Sequence, residues 1–277
     1  MKLKLVTKKG LLRIAILLGL LAIVGGSLCW VMFHMPGKSF DGTLPPLSAE
    51  EVTLRERLGT HLKKLASEIG ERNCLFPAKL EAAASYIEAE LRSLGLTAGA
   101  ERGGRFEAVD QDIPGKVPCR NICAELPGTD PALAMIVVGA HYDSVMGSPG
   151  ANDNGTGTVA LLEIARILKS RAFRRTVRFV AFTNEEPPFF KTANMGSLVH
   201  ARASKARGDR IEAMISLETL GCYSNAPKSQ KYPPPLDRLY PDTGNFVGFV
   251  GNLSGRALLK DAIRVFRETT SFGPVTK

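Results

Sequence analysis

In a chain of 277 residues, 44% apolar and 23% charged with five cysteines, neither intrinsic disorder nor a disulfide scaffold is the organising principle. The net charge of +9 does not point to nucleic acid, because Lys2, Lys4, Lys8, Lys9 and Arg13 supply five of it and only +4 is left for the remaining body. No basic stripe interleaved with aromatics runs through that body either.

Residues 1–13 read as a basic tail. From Ile14 to Met35 no residue is charged, a stretch long enough to cross the hydrocarbon core as a helix. The basic flank on its N-terminal side predicts a cytoplasmic N-terminus and an extracytoplasmic body, periplasmic or extracellular. A cleaved signal peptide is the competing reading, but Cys29-Trp-Val-Met-Phe-His-Met35 is too bulky for a small-x-small cleavage site. Residues 36–47, with Gly, Ser and three prolines, read as a linker, and residues 48–277 as one domain. In an exported body Cys74, Cys119, Cys123 and Cys222 are permitted but not required to pair, and buried free thiols are the expectation.

Ser48-Ala-Glu-Glu51 is a capping box, and Leu54, Leu58, Leu62, Leu65 and Ile69 continue at helical spacing to Gly70. A second helix is predicted from about Pro77 to Leu94. Strands are predicted at 121–126, 133–140, 176–182, 211–217 and 246–250, with helices at 155–168, 196–207 and about 255–269. The segment 227–244, with its five prolines, reads as a loop. Strands alternating with helices specify an α/β fold: a mixed, mostly parallel sheet sandwiched between helices.

In such sheets the site lies beyond the carboxyl ends of the strands. His141-Tyr-Asp143 follows one strand, Glu185-Glu186 another and Glu218 a third, while Asp153 sits in Gly150-Ala-Asn-Asp-Asn-Gly-Thr-Gly157 at the start of a helix. Each feature alone is ordinary: a packed His beside an acid, a solvated Glu pair, a helix cap. Together they set one imidazole and several carboxylates at one sheet edge, a donor set suited to zinc or a similar divalent ion.

Val138-Gly-Ala-His-Tyr-Asp-Ser-Val145, Gly150–Gly157, Phe182-Thr-Asn-Glu-Glu186 and Ser216-Leu-Glu-Thr-Leu-Gly221, in this order, resemble the co-catalytic two-zinc peptidase family. That family includes bacterial secreted aminopeptidases and glutamate carboxypeptidase II, with the one-zinc glutaminyl cyclases as relatives. The resemblance covers roughly residues 48–277. It implies that His141 and Glu218 bind one zinc, that Asp153 bridges two and is followed by a peptide bond that is often cis, and that Glu186 binds the second. It also implies that Glu185 is the general base and that Asp143 fixes the tautomer of His141. Peptides would be the substrates, cleaved as by an aminopeptidase.

One departure stands out. The family's second zinc takes a histidine late in the domain, and after Glu218 this chain has none: its four are His34, His61, His141 and His200. His200 is expected on a helix surface, and the C-terminal part of the domain is expected to be missing. The rival functions are a one-zinc acyltransferase of the glutaminyl-cyclase kind and a non-catalytic ectodomain.

Overall fold

The Thr7 hydroxyl accepts from the Gly10 amide at 3.1 Å and starts α1 (Lys8–Phe33). Its stretch Lys8–Val31 is, by length and composition, long and apolar enough to cross a membrane. This computed structural model describes residues 7–40, 42–98, 107–109, 119–238 and 240–271. The chain divides into two compact units, one from Pro46 to Cys222 and the other formed by the residues up to Pro45 with those from Tyr223 on.

The larger unit opens on α2 (Ala49–Lys63), where Ser48 and Glu51 close the expected capping box in both directions. A widened turn over Lys64–Ile69 ends at Gly70 and leads to α3 (Pro77–Ser93). Short strands β1 (Thr97–Ala98) and β2 (Glu107–Val109) precede β3 (Cys119–Leu126) and β4 (Met135–His141). Then come α4 (Gly157–Leu168), β5 (Val177–Phe182), α5 (Gly196–Arg207) and β6 (Ile211–Ser216). The smaller unit carries the described end of the chain, with a long loop and α6 (Arg256–Thr269).

The sheet runs β1-β3-β5-β4-β6, with β2 also paired to β3. β4 lies parallel to β5 and β6, whereas β3 runs antiparallel to β1, β2 and β5. His141 pairs with Phe182 and Gly139 with Ser216, so the three parallel strands end level with one another.

Side chains alternate across the sheet. Ile122, Ala124, Phe179 and Ala181 join α3 (Leu80, Ile87, Leu91) and α4 (Leu161, Leu162, Ala165) in the main core. Cys123, Val137, Val180 and Phe182 form a second, smaller cluster of the opposite parity. Both faces of β4 and β5 and most of β3 are thus buried, which is why β4 and β5 read as nearly unbroken apolar runs, whereas β6 is largely exposed.

Three expectations are corrected. Residues 246–250 form no strand: the segment belongs to the smaller unit, Val247 makes only a lone bridge that no ladder extends, none of it pairs with the six strands, and Val250 is exposed. His200 is buried rather than on the surface, because α5 turns that edge inward. Its ring meets Phe182 edge-on, and its Nδ1 lies 3.7 Å from Cys123 Sγ. Cys74, Cys119 and Cys123 are buried free thiols as expected, but Cys222 is exposed. The strands β1 and β2 carry too few residues to announce themselves by pattern.

Candidate metal centre

The site is built from the three level strand ends and the turn before α4. At the end of β4, His141 is buried and Asp143 lies two residues on, also buried. His141 Nε2 is 3.1 Å from Asp153 Oδ1, 3.5 Å from Glu218 Oε2 and 3.7 Å from Glu185 Oε2. His141 Nδ1 points the other way, 3.4 Å from Asp143 Oδ1.

Each carboxylate has a local reason for its place. Asp143 Oδ1 accepts the Glu185 amide at 3.2 Å and Oδ2 the Glu186 amide at 3.0 Å, which ties the loop after β5 to the loop after β4. The same loop is fixed from behind by Asn121, which accepts from Thr183 N and donates to Gly196 O. Asp153 has extended backbone torsions, and the peptide bond to Asn154 is cis. Asn154, fully buried, donates to Leu217 O and Glu218 Oε2 and accepts from Gly157 N and Thr219 N. That one side chain fastens the end of β6 to the start of α4. At Gly157 a Cβ would come within 2.4 Å of Asn154 Oδ1 and Leu217 O, so only glycine lets the two segments approach.

The electrostatics call for a cation. Five carboxylates meet one imidazole. Burial, and then Asp153 and the other neighbouring carboxylates against the pull of His141, pushes Glu186 up to about 7; burial likewise raises Glu185. Burial alone would lower His141, but Asp143 and Glu218 outweigh it and push the ring up to about 11. Glu186 Oε1 is buried with no hydrogen-bond partner among the described residues, and His141 Nδ1 has Asp143 Oδ1 beside it at 3.4 Å but outside hydrogen-bond geometry. The residues form two overlapping groups that could each hold a metal ion, His141 with Asp153 and Glu218, and His141 with Glu185 and Glu186. Zinc ligands stand about 2 Å from the ion, so two of them lie within about 4 Å of each other. The His141–Asp153 and His141–Glu218 separations of 3.1 and 3.5 Å already satisfy that. This donor set therefore fits a zinc ion.

All six residues singled out in the sequence meet here. Arg72 and Asn154, which hold them, were not singled out. Asn154 sits inside a quoted motif, but its role depends on Leu217 and Glu218 more than sixty residues away. The cleft lined by Leu133, Ile136, Phe173 and Val177 lies at the opposite ends of β4 and β5 and takes no part.

Residues 121–252 match peptidase family M28, and every carboxylate and imidazole of the cluster lies within them. Over this stretch the chain is similar to peptidase family M28. An uncharacterized protein, YfbL of Escherichia coli (strain K12), is 43% identical over 160 residues, which are 54% of this chain and 48% of that protein. The chain thus spans about half the length of this relative. Aminopeptidase YwaD of Bacillus subtilis (strain 168) is 58% identical over 52 residues, 19% of this chain and 11% of that protein. Among solved structures, the glutaminyl cyclase of Porphyromonas gingivalis superimposes with a TM-score of 0.50 at 24% identity, covering 64% of this chain and 63% of that one. This last likeness is one of fold.

Proposed function

We propose that the chain is the membrane-anchored, extracytoplasmic part of a zinc-dependent peptidase of the aminopeptidase type. The observation that carries this is the buried imidazole of His141 ringed by Asp153, Glu185 and Glu218 at the carboxyl ends of three parallel strands. The match of residues 121–252 to peptidase family M28 and the likeness to an aminopeptidase in sequence support peptide hydrolysis. The likeness to a glutaminyl cyclase is in fold and does not carry that activity over.

His141, Asp153 and Glu218 would hold one zinc, and Glu186 with a share of Asp153 a second. Bound zinc would supply a lowered pKa for water and polarisation of the scissile carbonyl. Glu185, half-exposed and raised by burial, takes the proton from the attacking water at Oε2 and delivers it to the leaving amine. Asp143 keeps the Nδ1 proton of His141 facing itself, so that Nε2 presents a lone pair. The buried Oε1 of Glu186 has no hydrogen-bond partner among the described residues and is available to bind. The second pair has no nitrogen donor of its own, so the first ion should be held tightly and the second loosely.

The α1 helix, with its basic flank, supports a single-pass anchor with the N-terminus in the cytoplasm. The test of the function is zinc content after dialysis against trace chelator, with turnover of an aminoacyl-anilide and of an N-terminal glutaminyl peptide. Zinc-dependent anilide hydrolysis is expected. Cyclisation of the glutaminyl peptide in its place would favour the acyltransferase, and bound zinc without either reaction a non-catalytic ectodomain.

A further inference from the structure

Arg72 is wholly buried and lies outside the matched family segment, in the turn between α2 and α3. A buried guanidinium ordinarily meets a carboxylate. This one is hydrogen-bonded to backbone carbonyls instead. Its Nε donates to Tyr142 O at 2.5 Å, its Nη1 to Pro149 O at 2.5 Å and more distantly to Gly70 O, and its Nη2 to Gly150 O at 2.8 Å. Tyr142 is the residue between His141 and Asp143. Pro149 and Gly150 begin the turn that presents Asp153, and Gly150 O in turn accepts the Gly155 amide at 3.0 Å.

The main chain of the same turn reinforces the grip. Arg72 N donates to Ser144 Oγ at 3.1 Å, and Ser144 N to Arg72 O at 3.0 Å. Asn73 Nδ2 donates to Ser144 O, and Glu71 accepts the Gly147 amide at 2.8 Å. At Gly150, with φ +55°, a Cβ would come within 2.5 Å of Ser144 Cβ and 3.3 Å of Arg72 Nη2, so the carbonyl can approach the guanidinium only because the residue is glycine.

We propose that Arg72 is a positioning residue of the metal centre: its guanidinium ties the His141–Asp143 strand end to the Pro149–Gly150 turn and so sets the separation of His141 from Asp153. A planar fork with five donors can hold two chain segments at once, which an ammonium cannot. The inference rests on the metal reading given above.

The test uses the full chain in detergent and titrates zinc against a chromophoric chelator, with cobalt absorption spectra as a second readout. Arg72→Lys, which keeps the charge and loses the fork, should weaken zinc about 10- to 100-fold, the usual effect of displacing the group that orients a ligand. Its cobalt band should shift. The control is Arg178→Lys, a second buried arginine paired with Glu125 and Asp209. It should lower the melting temperature while leaving zinc affinity unchanged. Equal affinity in parent and Arg72→Lys, or equal weakening by Arg178→Lys, would overturn the proposal. Should Arg72→Lys fail to fold, Ser144→Ala decides: removing one hydroxyl of the same grip should weaken zinc about fivefold, the worth of one hydrogen bond. Unchanged affinity there would overturn the proposal equally. A parent chain that takes up no zinc defeats the metal reading first, and this inference with it.

Discussion

Asp143→Asn exchanges one carboxylate oxygen for an NH2 group, yet the geometry predicts a large effect whichever way the new amide turns. The two carboxylate oxygens accept from Glu185 N at 3.2 Å and Glu186 N at 3.0 Å, and Oδ1 also faces His141 Nδ1 at 3.4 Å. If the asparagine carbonyl takes the Oδ1 place, its NH2 confronts the Glu186 amide, donor against donor. A buried donor left without an acceptor costs about 1–3 kcal/mol. For a unit of this size that lowers the melting temperature by about 2–4 °C per kcal/mol. If the carbonyl takes the Oδ2 place instead, the NH2 confronts Glu185 N and donates to His141 Nδ1. The imidazole proton then moves to Nε2, the atom that faces Asp153 and Glu218, and the lone pair for the metal is lost. Both arrangements weaken zinc, by about 10- to 100-fold on the usual scale for such groups. Metal-free melting curves and zinc titration against a competing chelator measure the two effects separately. An Asp143→Asn chain that melts with the parent and binds zinc within twofold of it would refute this account of the site.

Glu185→Gln should keep its zinc and lose at least about 100-fold in kcat, the size of a general-base effect; near-normal turnover would remove Glu185 from the proton transfer. Asp209 offers a pH test far from the metal. Burial would raise its carboxyl, but Arg178 and Arg207 outweigh it and hold it below the ordinary range. Its stabilisation is therefore complete above about pH 4, the unfolded aspartate value, and is lost as pH falls through the lower folded value. Asp209→Asn should melt below the parent by a constant margin from pH 5 to pH 7, and the margin should close under acid; a margin that grows under acid would contradict the sign. The α1 helix should hold the protein in membranes through a carbonate wash, with the larger unit open to protease from outside. Recovery in the soluble fraction starting near Pro36 would mean cleavage instead.

Much of this protein was legible in its residues because the relevant signals are local. The capping box at Ser48, the apolar runs of β4 and β5 and the glycine-rich turn at 150–157 are written in short stretches, and their periods specify helix, buried strand and turn. Strand ends are where an α/β sheet puts its chemistry, so His141, Asp143, Asp153, Glu185, Glu186 and Glu218 could be named from their places in that pattern. What no local pattern holds is the pairing of distant segments. The antiparallel insertion of β3 beside β5 depends on a partner fifty residues away. Residues 246–250 have the composition of a strand but no ladder to join, since a strand is defined by its neighbour. His200 is buried because of what α5 lies against, not because of its spacing on the helix. Nothing in the sequence around Arg72 marks it, and only the fold brings Tyr142, Pro149 and Gly150 to its guanidinium, seventy and more residues along the chain. The identity of the clustered imidazole and carboxylates is thus a property of the sequence, whereas the distances between them are set by buried polar contacts that only the folded chain creates.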